Sequence, residues 1–202
     1  EGMALEDYKP GDKLVPFKVV GEYKGPDLVG MEYEQLFPWV KPVELDEDGN
    51  WRDASAKAFR VIPGDYVTVE DGTGIVHIAP TFGADDAFVA KAAGIPSLFM
   101  INKKGETRPM VDLTGKFYLL DELDEKFVAE CVNTDIYKEY QGRWVKNAYD
   151  PAFTVDGKYD EKAAQAAESL DVYICMKMKQ ANQAFKMEKH VHNYPHCWRT
   201  DK

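Results

Sequence analysis

Gly72-Thr73-Gly74-Ile75-Val76-His77-Ile78-Ala79-Pro80, followed after a short gap by Gly83-Ala84-Asp85-Asp86, concentrates the chemically useful groups of this chain. Glycine has no Cβ, so the Gly72-Thr73-Gly74 backbone can approach a ligand closely. The apolar run Ile75 to Ala79 reads as a strand. Side chains alternate along a strand, so His77 shares a face with Ile75 and Ala79, opposite Val76 and Ile78. Pro80 ends the strand, and a glycine-containing loop leads to Asp85 and Asp86 at the start of a helix. A strand end and a helix start in this order predict a cleft in which His77 and a carboxylate face the same bound molecule. Each feature also has a plainer reading. Aspartates at a helix start serve as caps or offset the helix dipole, a histidine among apolar residues can be a satisfied core residue, and Gly-Thr-Gly can be a turn. No Gly-Lys-Ser/Thr follows, so the loop is not a phosphate-binding P-loop.

Outward from this stretch, β-rich segments dominate the first half of the chain. Residues 15–23 and 28–37 read as extended, with Gly25-Pro26 turning the chain between them. Residues 41–57 are polar, with Asp46-Glu47-Asp48-Gly49-Asn50 as a solvated loop or hairpin tip. Residues 59–62, 66–70 and 74–79 are short and β-rich, punctuated by Pro63-Gly64-Asp65 and Asp71-Gly72 as in a meander. Asp85 to Ala93 predicts a short helix, with acidic residues in its first turn, Gly94 at its end and Pro96 beyond. Residues 97–101 resume as a buried strand, and Asp121 to about Trp144 carries helical spacing. Asp160 to Lys179 predicts a helix with Ala163, Ala167, Leu170, Ile174 and Met178 on one apolar face. Residues 185–198 read as extended. The sum is an α+β fold, mainly β: a β-barrel-like core decorated with helices.

The 202 residues suit one domain, and 45% hydrophobic with 12% aromatic residues suffice for a core. No apolar run approaches the ~18 residues of a membrane span, and Glu1 to Asp7 lacks the pattern of a signal peptide. The net charge of −10 argues against nucleic-acid binding through the overall field, so any contact with RNA must be local or enforced by a neighbouring domain. Cys131, Cys175 and Cys197 are odd in number and widely spaced, which favours a reducing, cytoplasmic setting over a disulfide scaffold. None of Ser55, Ser97 and Ser169 sits in a Gly-x-Ser-x-Gly elbow. His190, His192, His196 and Cys197 lack a Cys-x-x-Cys partner, so no metal is expected. Neither end carries a terminating element, so the chain is expected to be part of a longer one.

The stretch from Val61-Ile62-Pro63-Gly64-Asp65 through Asp86 resembles the proofreading insert of class I aminoacyl-tRNA synthetases for branched aliphatic amino acids. The histidine of Gly74-Ile75-Val76-His77-Ile78-Ala79-Pro80 matches the isoleucyl-tRNA synthetase pattern, where the valyl family has a lysine. Tyr194-Pro195-His196-Cys197-Trp198-Arg199 and Val20-Gly21-Glu22-Tyr23-Lys24-Gly25 match it too. The resemblance implies a single editing domain over 1–202, with 190–202 returning toward the catalytic domain of the same chain. It implies hydrolysis, by water, of valine wrongly esterified to the 3′ end of tRNA(Ile). Asp86 would anchor the α-ammonium group, His77 would limit the size of the side-chain pocket, and Gly72, Thr73, Gly74 and Asp85 would contact the rest of the substrate. No cofactor is implied in this segment, ATP being used by the parent enzyme's catalytic domain. The family's Trp-Thr-Thr-Thr-Pro-Trp-Thr segment has no counterpart and is expected upstream of Glu1. Thr200 stands where some relatives carry a zinc-binding cysteine. The alternative is a docking module that holds the charged tRNA end without cleaving it.

Overall fold

A computed structural model describes residues 5–9, 16–70, 73–185 and 187. The predicted extended segment 185–198 and the return segment 190–202, with His190, His192, His196 and Cys197, lie almost wholly outside the described residues. The chain divides into two compact units, residues 1–99 and 100–202.

The first unit contains α1 (Gly25–Leu28), the hairpin β1 (Val43–Leu45) and β2 (Trp51–Asp53), and α2 (Ala84–Ala92). Val43 pairs with Asp53 and Leu45 with Trp51 in antiparallel register. The predicted tip at Asp46–Asn50 is the turn of this hairpin. A bridge joins Glu32 to Arg60, flanked by backbone bonds from Gly30 to Val61 and from Tyr33 to Phe59, so the 28–37 and 59–62 segments meet only at their centres. Trp39, Val40, Val43, Ala54, Ala58 and Ala90 are its buried apolar residues. Among the described residues, segments 16–23, 66–70 and 74–79 pair with no strand, which corrects the expectations of an extended strand at 15–23 and of a meander through 66–70 and 74–79. Their composition favours extension, but a strand exists only when a neighbour accepts its ladder bonds. Val20 stays 93% exposed and Val69 86%, so no second layer covers them among the described residues.

The second unit contains β3 (Met100–Ile101), β4 (Thr107–Arg108), α3 (Glu125–Cys131), α4 (Thr134–Tyr137), β5 (Thr154–Val155), β6 (Lys158–Tyr159), α5 (Glu161–Ala166) and α6 (Leu170–Gln180). The predicted strand at 97–101 shrinks to its last two residues. The helical region after Asp121 is two short helices, capped by Asp124, whose carboxylate accepts from Phe127 N–H, and by Asn133, whose side chain accepts from Ile136 N–H. The single helix expected over 160–179 is interrupted at 167–169. Ala167 turns extended, and Ser169 Oγ accepts from Val172 N–H to cap a new helix. The stripe from Ala163 to Met178 therefore does not lie on one cylinder: Ala164 is buried while Ala163 is exposed.

Met100, Ile101, Met110, Phe117, Leu123, Phe127, Cys131, Tyr137, Tyr140, Ala164 and Leu170 form the unit's buried apolar set. On α6, the Tyr173 hydroxyl donates to Glu139 Oε2 at 2.8 Å and Lys177 Nζ lies 2.7 Å from the same oxygen. Arg143 stacks 3.8 Å above the Tyr173 ring. Lys177, followed by the Tyr173 hydroxyl, holds Glu139 below the ordinary carboxylate range. The described strands form three two-stranded antiparallel ribbons and no closed barrel. Mixed helix and strand is thus the observed class.

One turn device recurs three times. Asp46, Asn102 and Asp112 each begin a turn whose fourth residue is a glycine at positive φ: Gly49 at +81°, Gly105 at +76° and Gly115 at +86°. In each, the side-chain Oδ1 accepts the backbone N–H groups two and four residues on. This is the local hydrogen bonding that suits Asx residues to turns. Partial burial pushes the Asp112 carboxyl up. The Thr114 hydroxyl and the N–H groups of Lys116 and Thr114 outweigh it and hold the group below its usual value. A lowered folded value contributes stability above the unfolded carboxylate range, which is lost as pH falls through the folded value. Acid unfolding followed by circular dichroism is therefore expected to begin below about pH 4. Asp112→Asn keeps the acceptor but not the charge, and should flatten that limb.

Candidate functional site

The loop between segment 75–79 and α2 is closed on itself. Ala79 C=O accepts from Phe82 N–H and Gly83 N–H, both at 3.0 Å. Ala79 N–H donates to Asp86 Oδ2 at 2.9 Å. Thr81 Oγ1 donates to Leu98 C=O at 2.6 Å, fastening the loop tip to the segment after α2. α2 begins at Gly83, which contributes no side-chain cap, and Asp85 and Asp86 lie in its first turn. The helix ends as predicted: Gly94 adopts φ +69° and Ile95 N–H donates to Ala90 C=O, the closing bond of a glycine-terminated helix.

Asp86 is half-buried and Asp85 exposed. The two aspartates thus part company: Asp85 points to solvent, whereas Asp86 ties the helix start to the segment carrying His77. A carboxylate has about four lone-pair sites, and the described bond to Ala79 uses one, leaving acceptor capacity for a cationic group. Gly74 takes φ +74°, a conformation that favours glycine, and Thr73 Oγ1 exchanges 3.3 Å contacts with the backbone N–H and C=O of Ile75. Gly72 lies outside the described residues. His77 is exposed, as are its neighbours Ile75 and Val76, while Ile78 and Ala79 are half-buried. The alternation expected of a half-buried strand is therefore absent at 75–77. Sequence reasoning passed over Gly83, read only as part of a glycine-containing loop. No signal in the sequence set it apart, since glycine is itself common at helix N-caps.

An open groove of about 500 Å³ runs between β1, β2 and the Pro96–Phe99 segment, and none of the candidate residues lines it. No group of three His, Cys, Asp or Glu side chains able to hold a metal occurs among the described residues. Over 200 residues, 99% of its length, the chain is 82% identical to the isoleucine–tRNA ligase of Bacteroides thetaiotaomicron, of which it covers 17%. The chain belongs to the isoleucine–tRNA ligase family. It is 50% identical over 195 residues to the isoleucine–tRNA ligase of Porphyromonas gingivalis, covering 96% of this chain and 15% of that protein. The isoleucine–tRNA ligase of Treponema denticola matches at 34% over 183 residues, 91% of this chain and 12% of that one. The chain thus spans about a sixth of the length of the curated relatives it matches. No family model and no solved structure matches it.

Within this isoleucine–tRNA ligase segment the charge is uneven. Residues 1–99 carry 18 acidic against 9 basic side chains, and residues 100–202 carry 17 against 16. The unit holding the candidate residues is therefore the acidic one, a setting that favours cationic over anionic ligand groups. No described helix is long and apolar enough to cross a membrane.

Proposed function

We propose that this chain is the proofreading part of an isoleucine–tRNA ligase, hydrolysing the ester of valine mischarged on tRNA(Ile). The observation that carries the reading is the Asp86 carboxylate, fixed by Ala79 N–H two residues beyond His77, in a segment 82% identical to an isoleucine–tRNA ligase. Isoleucine and valine differ by one methylene, which a hydrophobic pocket discriminates by only about 1–3 kcal/mol, the known case for a second, hydrolytic sieve. Asp86 holds the α-ammonium group, His77 bounds the side-chain pocket, and the Gly72-Thr73-Gly74 backbone with Asp85 lies against the terminal adenosine. Water adds to the ester carbonyl, and the ribose hydroxyl leaves with its proton restored. The products are valine and free tRNA(Ile). In this reading the extended segments around 16–23 and 74–79 are barrel strands whose neighbours lie elsewhere in the parent enzyme, consistent with their exposed apolar side chains.

A non-hydrolysable valyl-adenosine analogue titrated into the full-length enzyme and into this chain tests the proposal. Binding that perturbs the amides of Ala79, Gly83 and Asp86 is expected, with the isoleucyl analogue excluded. Absence of binding to either protein would remove the reading. Binding without hydrolysis of valyl-tRNA(Ile) by the full-length enzyme would leave a docking module instead. His77→Ala in the full-length enzyme should extend hydrolysis to isoleucyl-tRNA(Ile) by about tenfold or more, since one methylene of exclusion is being surrendered. Deacylation assays that still show isoleucyl-tRNA(Ile) spared would remove His77 as the size gate.

A further inference from the structure

Gly83 sits at φ −93° and ψ 129°, ordinary extended backbone open to any residue. Its conformation does not demand glycine, but a side chain here would meet Asp86. A Cβ at this position would lie 2.6 Å from Asp86 Oδ2, 2.8 Å from Asp86 Cγ and 3.0 Å from Asp86 Cβ. All three atoms belong to one carboxylate arm, folded back over the N-cap to reach Ala79 N–H. The usual arrangement is the reverse, a capping side chain at this position bonding the helix's own N–H groups. Here the N-cap is stripped of its side chain and the third helical residue points away from the helix, seven residues back along the chain.

We infer that Gly83 is a positioning residue for Asp86: the missing side chain at 83 is what lets the carboxylate lie on Ala79 N–H in the orientation used for the ammonium group. The inference rests on the proposed role of Asp86 as that anchor. Any side chain at 83 must push the carboxylate out of its place, because the opposing atoms are the short Asp86 arm itself. The displaced group stays on the same helix turn, so substrate binding suffers through geometry alone.

The test compares Gly83→Ala and Gly83→Ser with Asp86→Asn in a full-length isoleucine–tRNA ligase carrying this segment. Deacylation of valyl-tRNA(Ile) should fall about 10- to 100-fold in both Gly83 variants, the range a lost charge-assisted hydrogen bond produces, and mainly through KM. Aminoacylation with isoleucine should be unchanged. Freeing Ala79 N–H also lowers stability in both variants, so the positioning role is read in the KM of deacylation, which a merely structural role would not raise while aminoacylation is kept. Loss of editing in Asp86→Asn with full editing in Gly83→Ala and Gly83→Ser would overturn the inference while leaving the role of Asp86 intact. Full editing in Asp86→Asn would remove the anchor itself, and the inference with it. A fall in kcat with KM unchanged, or an equal loss of aminoacylation, in both Gly83 variants would also overturn it.

Discussion

Asp86→Ala in a full-length isoleucine–tRNA ligase is expected to reduce valyl-tRNA(Ile) deacylation by roughly 30- to 3,000-fold while leaving aminoacylation intact. That range corresponds to the about 2–5 kcal/mol lost when one partner of a desolvated, hydrogen-bonded charge pair is truncated. Two contributions are combined in it. The substituted protein loses the charge proposed to hold the substrate ammonium, and it loses the acceptor for Ala79 N–H at 2.9 Å. The second loss leaves a part-buried donor without its partner, at about 1–3 kcal/mol of stability. Asp86→Asn separates the two, because its side-chain oxygen can still accept from Ala79 while the negative charge is gone. Deacylation should fall nearly as far in Asp86→Asn as in Asp86→Ala, with the melting temperature held. Mischarged valyl-tRNA(Ile) accumulating in both variants, measured as valine retained on tRNA at steady state, is the accompanying readout. If Asp86→Asn edits normally, charge on Asp86 is not what binds the substrate.

What could be read from the sequence follows from how local each signal is. α2 was legible because its signals are adjacent: two aspartates in the first turn, Gly94 at its end and Pro96 beyond, and the structure places Ala84–Ala92 as a helix closed by Gly94 at φ +69°. The Asp46–Asn50 tip was legible for the same reason, since Asp46 satisfies the turn with its own side chain. The strands were not, because β-rich composition fixes extension but not the neighbour. Segment 74–79 pairs with no strand among the described residues, with Ile75 62% and Val76 52% exposed. The break between α5 and α6 escaped a periodicity argument because Ala163, Ala167 and Leu170 keep helical spacing across it, while Ser169 offers its hydroxyl to Val172 N–H instead. At the site, the family pattern pointed to His77 and Asp86 by position. The bond from Ala79 and the space vacated at Gly83 were invisible, because both are contacts between residues the sequence shows only as separated letters.

The second unit should depend on Tyr137 more than on any exposed feature. The side chain is completely buried, edge-on to Phe117 at 6.5 Å, and its hydroxyl donates to Tyr118 C=O at 2.7 Å. Burial, and next the Glu122 carboxylate, raise its titration well above the usual tyrosine range, so the donor is retained across all ordinary conditions. Tyr137→Ala removes a buried aromatic ring and opens a cavity beside Phe117, at about 3–5 kcal/mol. That is a large share of the roughly 5–15 kcal/mol that holds a domain of this size together, so urea unfolding should show the transition of residues 100–202 moved to much lower denaturant. Tyr137→Phe isolates the hydroxyl. The ring and its contacts remain, and only the partner of Tyr118 C=O is lost, which should cost about 1–3 kcal/mol. An unchanged midpoint in Tyr137→Phe would mean that the carbonyl finds another donor, and an unchanged midpoint in Tyr137→Ala would mean that the ring is not part of the core. The contrast with Asp86 is physical. A buried ring stabilises through area and packing, so its loss spreads over the whole unit. A half-buried carboxylate on one backbone N–H acts through direction, so its loss falls on the substrate first.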